Sequence, residues 1–403
     1  MHAHVKKGDI IELPIHTVAF GGDGIGRIDN LVVFVPFAVG GDRVRVKVTE
    51  VKKRFLKGSI LTILRQAPER ATPRCPYYYR CGGCQYQHIT YEHELALKQI
   101  QVYDSFTRIG KIPEPPVEPI LASPHAYNYR GKAEFHLHYD EAGVAHIGFM
   151  DVKGRAVVDV DRCEIVAESI NDAYGRFRAP LPSPKGSRTE KRVIFWSAID
   201  ENLPDNEGPP FTFATILRQV ADVSMRVPYG GFFQANTAMV KTLVDRVVEM
   251  AGVSSADVVL DCYCGSGLFT LFLARRAGHV LGIEVDGRAV ECARFNLQRY
   301  DLPNTDVYKG KAEDVFAKHV LSPRTIHTVL LDPPRTGCER RLLDGIIAAA
   351  PGKVVYISCN PTTQARDIRY LVDRGFALQL LQPVDMFPRT KHIEVIALLG
   401  TCT

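Results

Sequence analysis

Between residues 8 and 62, apolar and polar positions alternate in short runs at 10–13, 31–36, 42–50 and 58–64, with glycine turns at Gly21-Gly22-Asp23-Gly24 and Gly40-Gly41. Period-two alternation belongs to strands buried on one face, so this region is expected to form a small antiparallel barrel. The pattern breaks into prolines and charges at 66–76, and a cysteine-rich segment follows. A polar, helix-like stretch covers 91–109. Alternation then returns at 132–139, 145–150 and 157–160, with Asp140-Glu141-Ala142-Gly143 marking a hairpin. The proline, glycine and serine cluster at 180–188 reads as a surface loop. Beyond residue 231 the texture changes to continuous apolar runs at 258–263, 280–285, 328–331 and 354–358, spaced by helix-length segments. Such runs are buried on both faces of a parallel sheet by crossover helices, and ligands bind outside their carboxyl ends. The breaks divide the chain into 1–64, 65–230 and 231–403.

Composition adds a few boundaries. Hydrophobic residues make up 46% and charged residues 24%, and no apolar run approaches the roughly 20 residues that span a bilayer. The first ten residues lack the apolar stretch of a secretory signal, so the cytosol is the expected compartment and the ten cysteines are expected as thiols or metal ligands. The net charge of +5 is uneven: residues 1–62 hold ten Lys and Arg against six Asp and Glu. A basic module suits a polyanion such as RNA, although a run like Lys52-Lys53-Arg54 is by itself a solvated face.

The first run of the parallel sheet ends in Asp261-Cys262-Tyr263-Cys264-Gly265-Ser266-Gly267, where glycines let backbone approach a nucleotide-like ligand. Glu284, twenty-three residues after Asp261 at the end of the second run, suits both hydroxyls of a ribose. A dinucleotide oxidoreductase would have a third glycine where this chain has Thr270, which favours a methyltransferase over a dehydrogenase. The third run delivers Asp332-Pro333-Pro334-Arg335, a rigid turn with its carboxylate at the cofactor pocket. The next ends in Ser358-Cys359-Asn360-Pro361, which puts a thiol at the same edge. Carbon 5 of uracil is a weak nucleophile, and addition of a thiolate to carbon 6 turns the ring into an enolate able to take a methyl group. A base must then remove the carbon 5 proton. Glu394 and His392, two apart in Lys391-His392-Ile393-Glu394, are the candidates, and strand alternation puts both on one face.

Upstream, Cys75, Cys81 and Cys84 form a C-x5-C-x2-C cluster, and Cys163 follows. Four thiolates suit zinc or an iron-sulfur cluster, and the spacing leaves both open.

This combination resembles the uridine-5 RNA methyltransferase family, specifically its iron-sulfur and TRAM-containing branch acting on 23S rRNA, over essentially the whole chain. The resemblance implies an α/β fold: a Rossmann-like, S-adenosyl-L-methionine-dependent catalytic domain, preceded by a TRAM, oligonucleotide-binding-like β-barrel and a central α+β iron-sulfur domain. It implies Cys359 as nucleophile and Glu394 as base. It also implies Gln234, within Phe232-Phe233-Gln234-Ala235-Asn236, with Tyr263, Glu284 and Asp332 as cofactor contacts, and Cys75, Cys81, Cys84 and Cys163 as ligands of a [4Fe-4S] cluster. The partner is then RNA, 23S rRNA ahead of tRNA, with no membrane association and the chain acting as a monomer. Two other readings compete: a cluster-bearing nicotinamide oxidoreductase and a non-catalytic RNA-binding protein. Neither uses Glu284, Asp332, Cys359 and Glu394 as a set. A DNA cytosine methyltransferase shares the thiol chemistry, but its nucleophile follows a proline, whereas here the proline comes two residues later.

Overall fold

A computed structural model of the protein describes residues 5–179, 191–197, 211–316, 318 and 325–401. The loop read at 180–188 lies outside these. The chain forms two compact units, one from Met1–Gln101, His125–Trp196 and Phe387–His392, the other from Val102–Pro124, Ser197–Met386 and Ile393–Thr403.

In the first unit, strands β1 (Ile10–Val18), β2 (Asp23–Ile28), β3 (Leu31–Pro36), β4 (Arg43–Val51) and β5 (Phe55–Arg65) close into a barrel of order β1-β2-β3-β5-β4. Alternate residues Leu13, Ile15, Val33, Val35, Val44, Val46 and Leu56 fill its core. Two expectations are corrected. The barrel is not wholly antiparallel, because β3 and β5 pair in parallel to close it. The Gly21–Gly24 turn also gives way at Asp23 to a strand the glycines had disguised. A Cβ on Gly26 would stand 2.2 Å from Leu13 Cδ1, and one on Gly24 2.7 Å from Ala38 Cβ, so these positions are glycine because the barrel interior has no room for more.

Helix α1 (Tyr91–Arg108) follows the cysteine-rich segment. Strands β6 (Lys132–Tyr139), β7 (Ala145–Met150), β8 (Val157–Asp159) and β9 (Lys191–Trp196) make a four-stranded sheet of order β8-β7-β6-β9. Helix α2 (Glu168–Arg178) packs on it, and Phe135 stacks on Tyr174 at 4.2 Å.

The second unit opens with the hairpin β10 (Thr215–Val220) and β11 (Val223–Pro228). Then come α3 (Val240–Ala251), β12 (Val258–Cys262), α4 (Leu268–Ala274), β13 (His279–Glu284), α5 (Gly287–Arg299), β14 (Thr305–Lys309), α6 (Ala312–Val315), β15 (Thr328–Leu331), α7 (Arg340–Ala349), β16 (Lys353–Ser358), α8 (Pro361–Val372), β17 (Phe376–Val384) and β18 (Glu394–Thr401). The seven strands form one sheet of order β14-β13-β12-β15-β16-β18-β17, with β18 antiparallel to β16 and β17. The order reverses between β12 and β15. That switch point is where an open α/β sheet leaves a crevice for a ligand.

Candidate active site

Five strand ends meet at the edge of this crevice. At the end of β12, Tyr263, Gly265 and Gly267 all take positive φ (66°, 56° and 84°), and the turn closes with Gly267 N–H donating to Cys264 O at 2.9 Å. The turn is locked to β13 through Glu284, whose Oε2 accepts from Gly265 N at 3.0 Å while Oε1 accepts from Val285 N and Asp286 N, each at 2.8 Å. A carboxylate has about four acceptor positions, so Glu284 is held in place and keeps capacity for a ligand hydroxyl.

Beneath the turn, Asp261 is fully buried. Thr270 Oγ1 donates to its Oδ2 at 2.5 Å, and its Oδ1 has no partner among the described residues. Burial pushes its carboxyl up to about 7, against the hydrogen bonds from Thr270. Asp332 follows β15, its N–H directed at Cys262 O at 3.4 Å. Burial, with Asp261 and Glu284 adding their charge, raises this carboxyl too. Gln234 is buried, and the neighbouring Asn236 donates through Nδ2 to Ser123 Oγ at 3.0 Å.

Ser358, the last residue of β16, pairs with Val395, and the next position of that antiparallel register sets Cys359 opposite Glu394 at the start of β18. The Cys359 thiol is pushed up to about 11, by burial first and then by the Glu394 charge, while Arg335 both hydrogen-bonds to it and lowers it. Burial and then Asp332 raise Glu394 well above the ordinary carboxylate range, again with Arg335 opposing. Cys359 also precedes the N-cap of α8, where the helix start favours a nearby anion. His392 differs from its expected placement: β18 begins at Glu394, so His392 precedes the strand, and its ring meets Phe387 at 5.8 Å.

Two residues outside the expected set complete the constellation. Arg335 was visible in Asp-Pro-Pro-Arg but without an assigned task, and it is the cation shared by the thiol and the carboxylate. Asn360 joins the two turns. Its Oδ1 accepts from Thr362 N at 3.2 Å as the cap of α8, while its Nδ2 donates to Arg335 O at 3.1 Å. Capping asparagines are common signals, but nothing in the sequence indicates the second bond.

In the first unit, Cys75, Cys81, Cys84 and Cys163 line one cavity of about 160 Å³. Gly83 N–H donates to Cys81 Sγ at 3.4 Å, and Gln87 and Asn171 accept the N–H groups of Cys75 and Cys163 at 3.0 Å each. Among the described residues, no three His, Cys, Asp or Glu side chains are grouped to hold a metal ion.

The doubly wound sheet, its glycine turn at the switch point and the carboxylates around it define a nucleotide-cofactor enzyme of the methyltransferase class. A tRNA (uracil-5-)-methyltransferase family model matches residues 216–401, and a TRAM domain model matches residues 4–61. An uncharacterized RNA methyltransferase of Halalkalibacterium halodurans is 32% identical, covering 98% of each chain. One of Caldanaerobacter subterraneus is 33% identical, covering 98% of this chain and 99% of its own. The solved structure of Pyrococcus abyssi tRNA (uracil-54, C5)-methyltransferase in complex with S-adenosyl-L-homocysteine is 25% identical and superposes with a TM-score of 0.71, over 96% of this chain and all of that one. The chain belongs to the tRNA (uracil-5-)-methyltransferase family, with a TRAM domain at its start, and is an S-adenosyl-L-methionine-dependent RNA methyltransferase. Among the described residues no helix is long and apolar enough to cross a membrane.

Proposed function

We propose that the protein methylates carbon 5 of a uridine in 23S rRNA, with Cys359 as covalent nucleophile and Glu394 as the base. The observation that carries this reading is the pairing of a thiol and a buried carboxylate across the end of the β16–β18 ladder, at the carboxyl edge of a cofactor-binding sheet. Cys359 adds to carbon 6 of the flipped-out uracil, forming an S–C6 bond and sending the ring's electron pair toward carbon 5. S-adenosyl-L-methionine supplies an electrophilic methyl group on a sulfonium. Glu394, its basicity raised by burial, takes the proton from carbon 5, and the returning electron pair expels the Cys359 thiolate.

The residues fit the donor. The partnerless Asp261 Oδ1 and the Asp332 carboxylate offer acceptors to its ammonium group, Glu284 to its ribose, and Gln234 and Tyr263 complete the wall. In the first unit, Cys75, Cys81, Cys84 and Cys163 would hold a [4Fe-4S] cluster, supplying a rigid crosslink rather than electrons. The enzyme acts as a monomer in the cytoplasm, with the domains 1–64 for RNA, 65–230 for the cluster and 231–403 for chemistry.

A second target, tRNA, is favoured by one observation, the full-length likeness to a tRNA (uracil-54, C5)-methyltransferase. Labelled S-adenosyl-L-methionine and total RNA from a strain lacking the gene distinguish the two. Label as 5-methyluridine in 23S rRNA supports the first target, and label in tRNA supports the second. Label absent from carbon 5 of any pyrimidine rejects the reaction. With 5-fluorouridine RNA, Cys359→Ala is expected to form no covalent adduct and Glu394→Gln to accumulate one.

A further inference from the structure

The loop that carries Cys81 and Cys84 has two sides. One faces the thiol cavity, and the other lines an open groove of about 1830 Å³ within the first unit, shared with the barrel. The groove wall includes Lys47 and Lys57 from β4 and β5, Lys153 and Arg155 from the turn after β7, and Lys391. Against these stand Asp23 and Glu50, the latter already paired with Lys52 and Lys57. Lys47, Lys153, Arg155 and Lys391 form no salt bridge among the described residues.

Hydrogen bonds hold the backbone segments that carry these cations. Gly82 N–H donates to Met150 O at 2.9 Å and Val152 N–H to Arg80 O at 3.0 Å, stitching the cysteine loop to the turn. Asp151 Oδ1 then accepts from Lys153 N at 3.1 Å and Arg155 N at 2.7 Å, which ties down the turn's backbone at both residues. Lys391 N–H donates to Gln85 Oε1 at 2.9 Å, and Gln85 Nε2 donates to Gly82 O at 2.9 Å.

Beside them stands an aromatic pair. Tyr79 is 52% exposed, and its ring meets Phe37 edge-on at 5.1 Å, with Phe37 also in the groove wall. Both residues take the left-handed backbone (φ 32° and 63°) that non-glycine residues adopt at a cost. A large exposed ring on a strained, anchored backbone among unpaired cations is a platform for a base next to a track for phosphates.

We propose that this groove binds a single-stranded segment of RNA, with one base stacked on Tyr79 and the backbone running along Lys153, Arg155 and Lys391. The inference rests on RNA being the substrate, but not on which atom of it is methylated. A duplex would leave the ring unused, because its bases are not free to stack.

The test measures binding, not turnover, by the fluorescence anisotropy of a labelled uridine-containing 12-mer and its hairpin-duplex counterpart over a range of KCl concentrations. Wild-type protein is expected to prefer the single strand. Tyr79→Ala should weaken it roughly 5- to 100-fold with the salt slope unchanged, and Tyr79→Phe should restore it. Lys153→Gln with Arg155→Gln and Lys391→Gln should flatten the slope of log affinity against log salt by about 2, near 0.7 for each lost phosphate contact. Wild-type affinity and slope in both variants, preference for the duplex, or failure of wild-type protein to bind the strand would each overturn the proposal. A chain that binds in this way yet forms no 5-methyluridine would refute the reaction and leave the groove standing.

Discussion

Cys359 directly follows Ser358 and Glu394 directly precedes Val395, the last pair of the antiparallel β16–β18 ladder, and Arg335 acts on both. Because Cys359 follows β16 and Glu394 opens the antiparallel β18, the register that aligns the sheet also sets the spacing of the thiol and the carboxylate. They lie thirty-five positions apart in the chain, so a slip of one position in β18 would turn the carboxylate to the opposite face.

Arg335 governs how reactive the thiol is. Burial and the Glu394 charge leave the Cys359 thiol near 11 even with Arg335 lowering it, so removing the guanidinium raises the thiol further and reduces the thiolate present at pH 8. A thiol that titrates one pH unit higher holds about a tenth of the thiolate at a given pH below that point. Arg335→Gln is expected to slow iodoacetamide alkylation of Cys359 several-fold to about tenfold, read by mass spectrometry of the peptide. Unchanged alkylation would remove Arg335 from this role.

Asn360 couples the Cys359 turn to the Asp-Pro-Pro-Arg turn through its two amide atoms. Asn360→Asp keeps an oxygen cap for α8 but loses the donor to Arg335 O, whereas Asn360→Ala loses both. The alanine variant is expected to lose about 1 kcal/mol of stability from the missing cap, and the aspartate variant little. Both should lower kcat. Equal kcat in wild type and Asn360→Asp would show that the bond to Arg335 O does not position the site.

Much of this arrangement was legible in the sequence, because motif residues at strand ends announce themselves by position. The runs of β6, β7 and β15 coincide with their observed bounds, and those of β12, β13 and β16 differ by a residue. What was hidden depends on pairings between distant segments. Strand β2 was masked because Gly24 and Gly26 answer to the space left by Ala38 and Leu13, not to local propensity. The parallel pairing of β3 with β5 closes the barrel without changing the alternation of either strand. The Asn360–Arg335 bond spans twenty-five residues and leaves no mark in the spacing. His392 looked equivalent to Glu394 by alternation, and lost that equivalence when the strand began two residues later.

The thiol cavity makes a compositional prediction. Protein purified without oxygen is expected to carry about four iron and four acid-labile sulfide per chain, and Cys84→Ser to lose both together with thermal stability. One zinc per chain and no sulfide would replace the cluster with a mononuclear site. Full methylation with the cluster oxidised or reduced would agree with a structural role, and strict dependence on one state would reject it.

Asp261 contributes to the pH dependence of the cofactor-free enzyme. Its carboxyl titrates near 7 in the fold, raised by burial from an ordinary value close to 4, so the native state keeps a proton that the unfolded chain releases. The stability this group contributes is complete below about pH 4 and is lost as the pH rises through about 7. Asp261→Asn has no proton to lose. Without cofactor, the variant should therefore gain on wild type as the pH rises from 4 to 8, by an amount on the order of 4 kcal/mol for a carboxyl that titrates about three pH units above its ordinary value. Thermal unfolding at closely spaced pH values checks this. Parallel curves for the two proteins would mean that Asp261 is ionised throughout and that its charge is compensated within the fold.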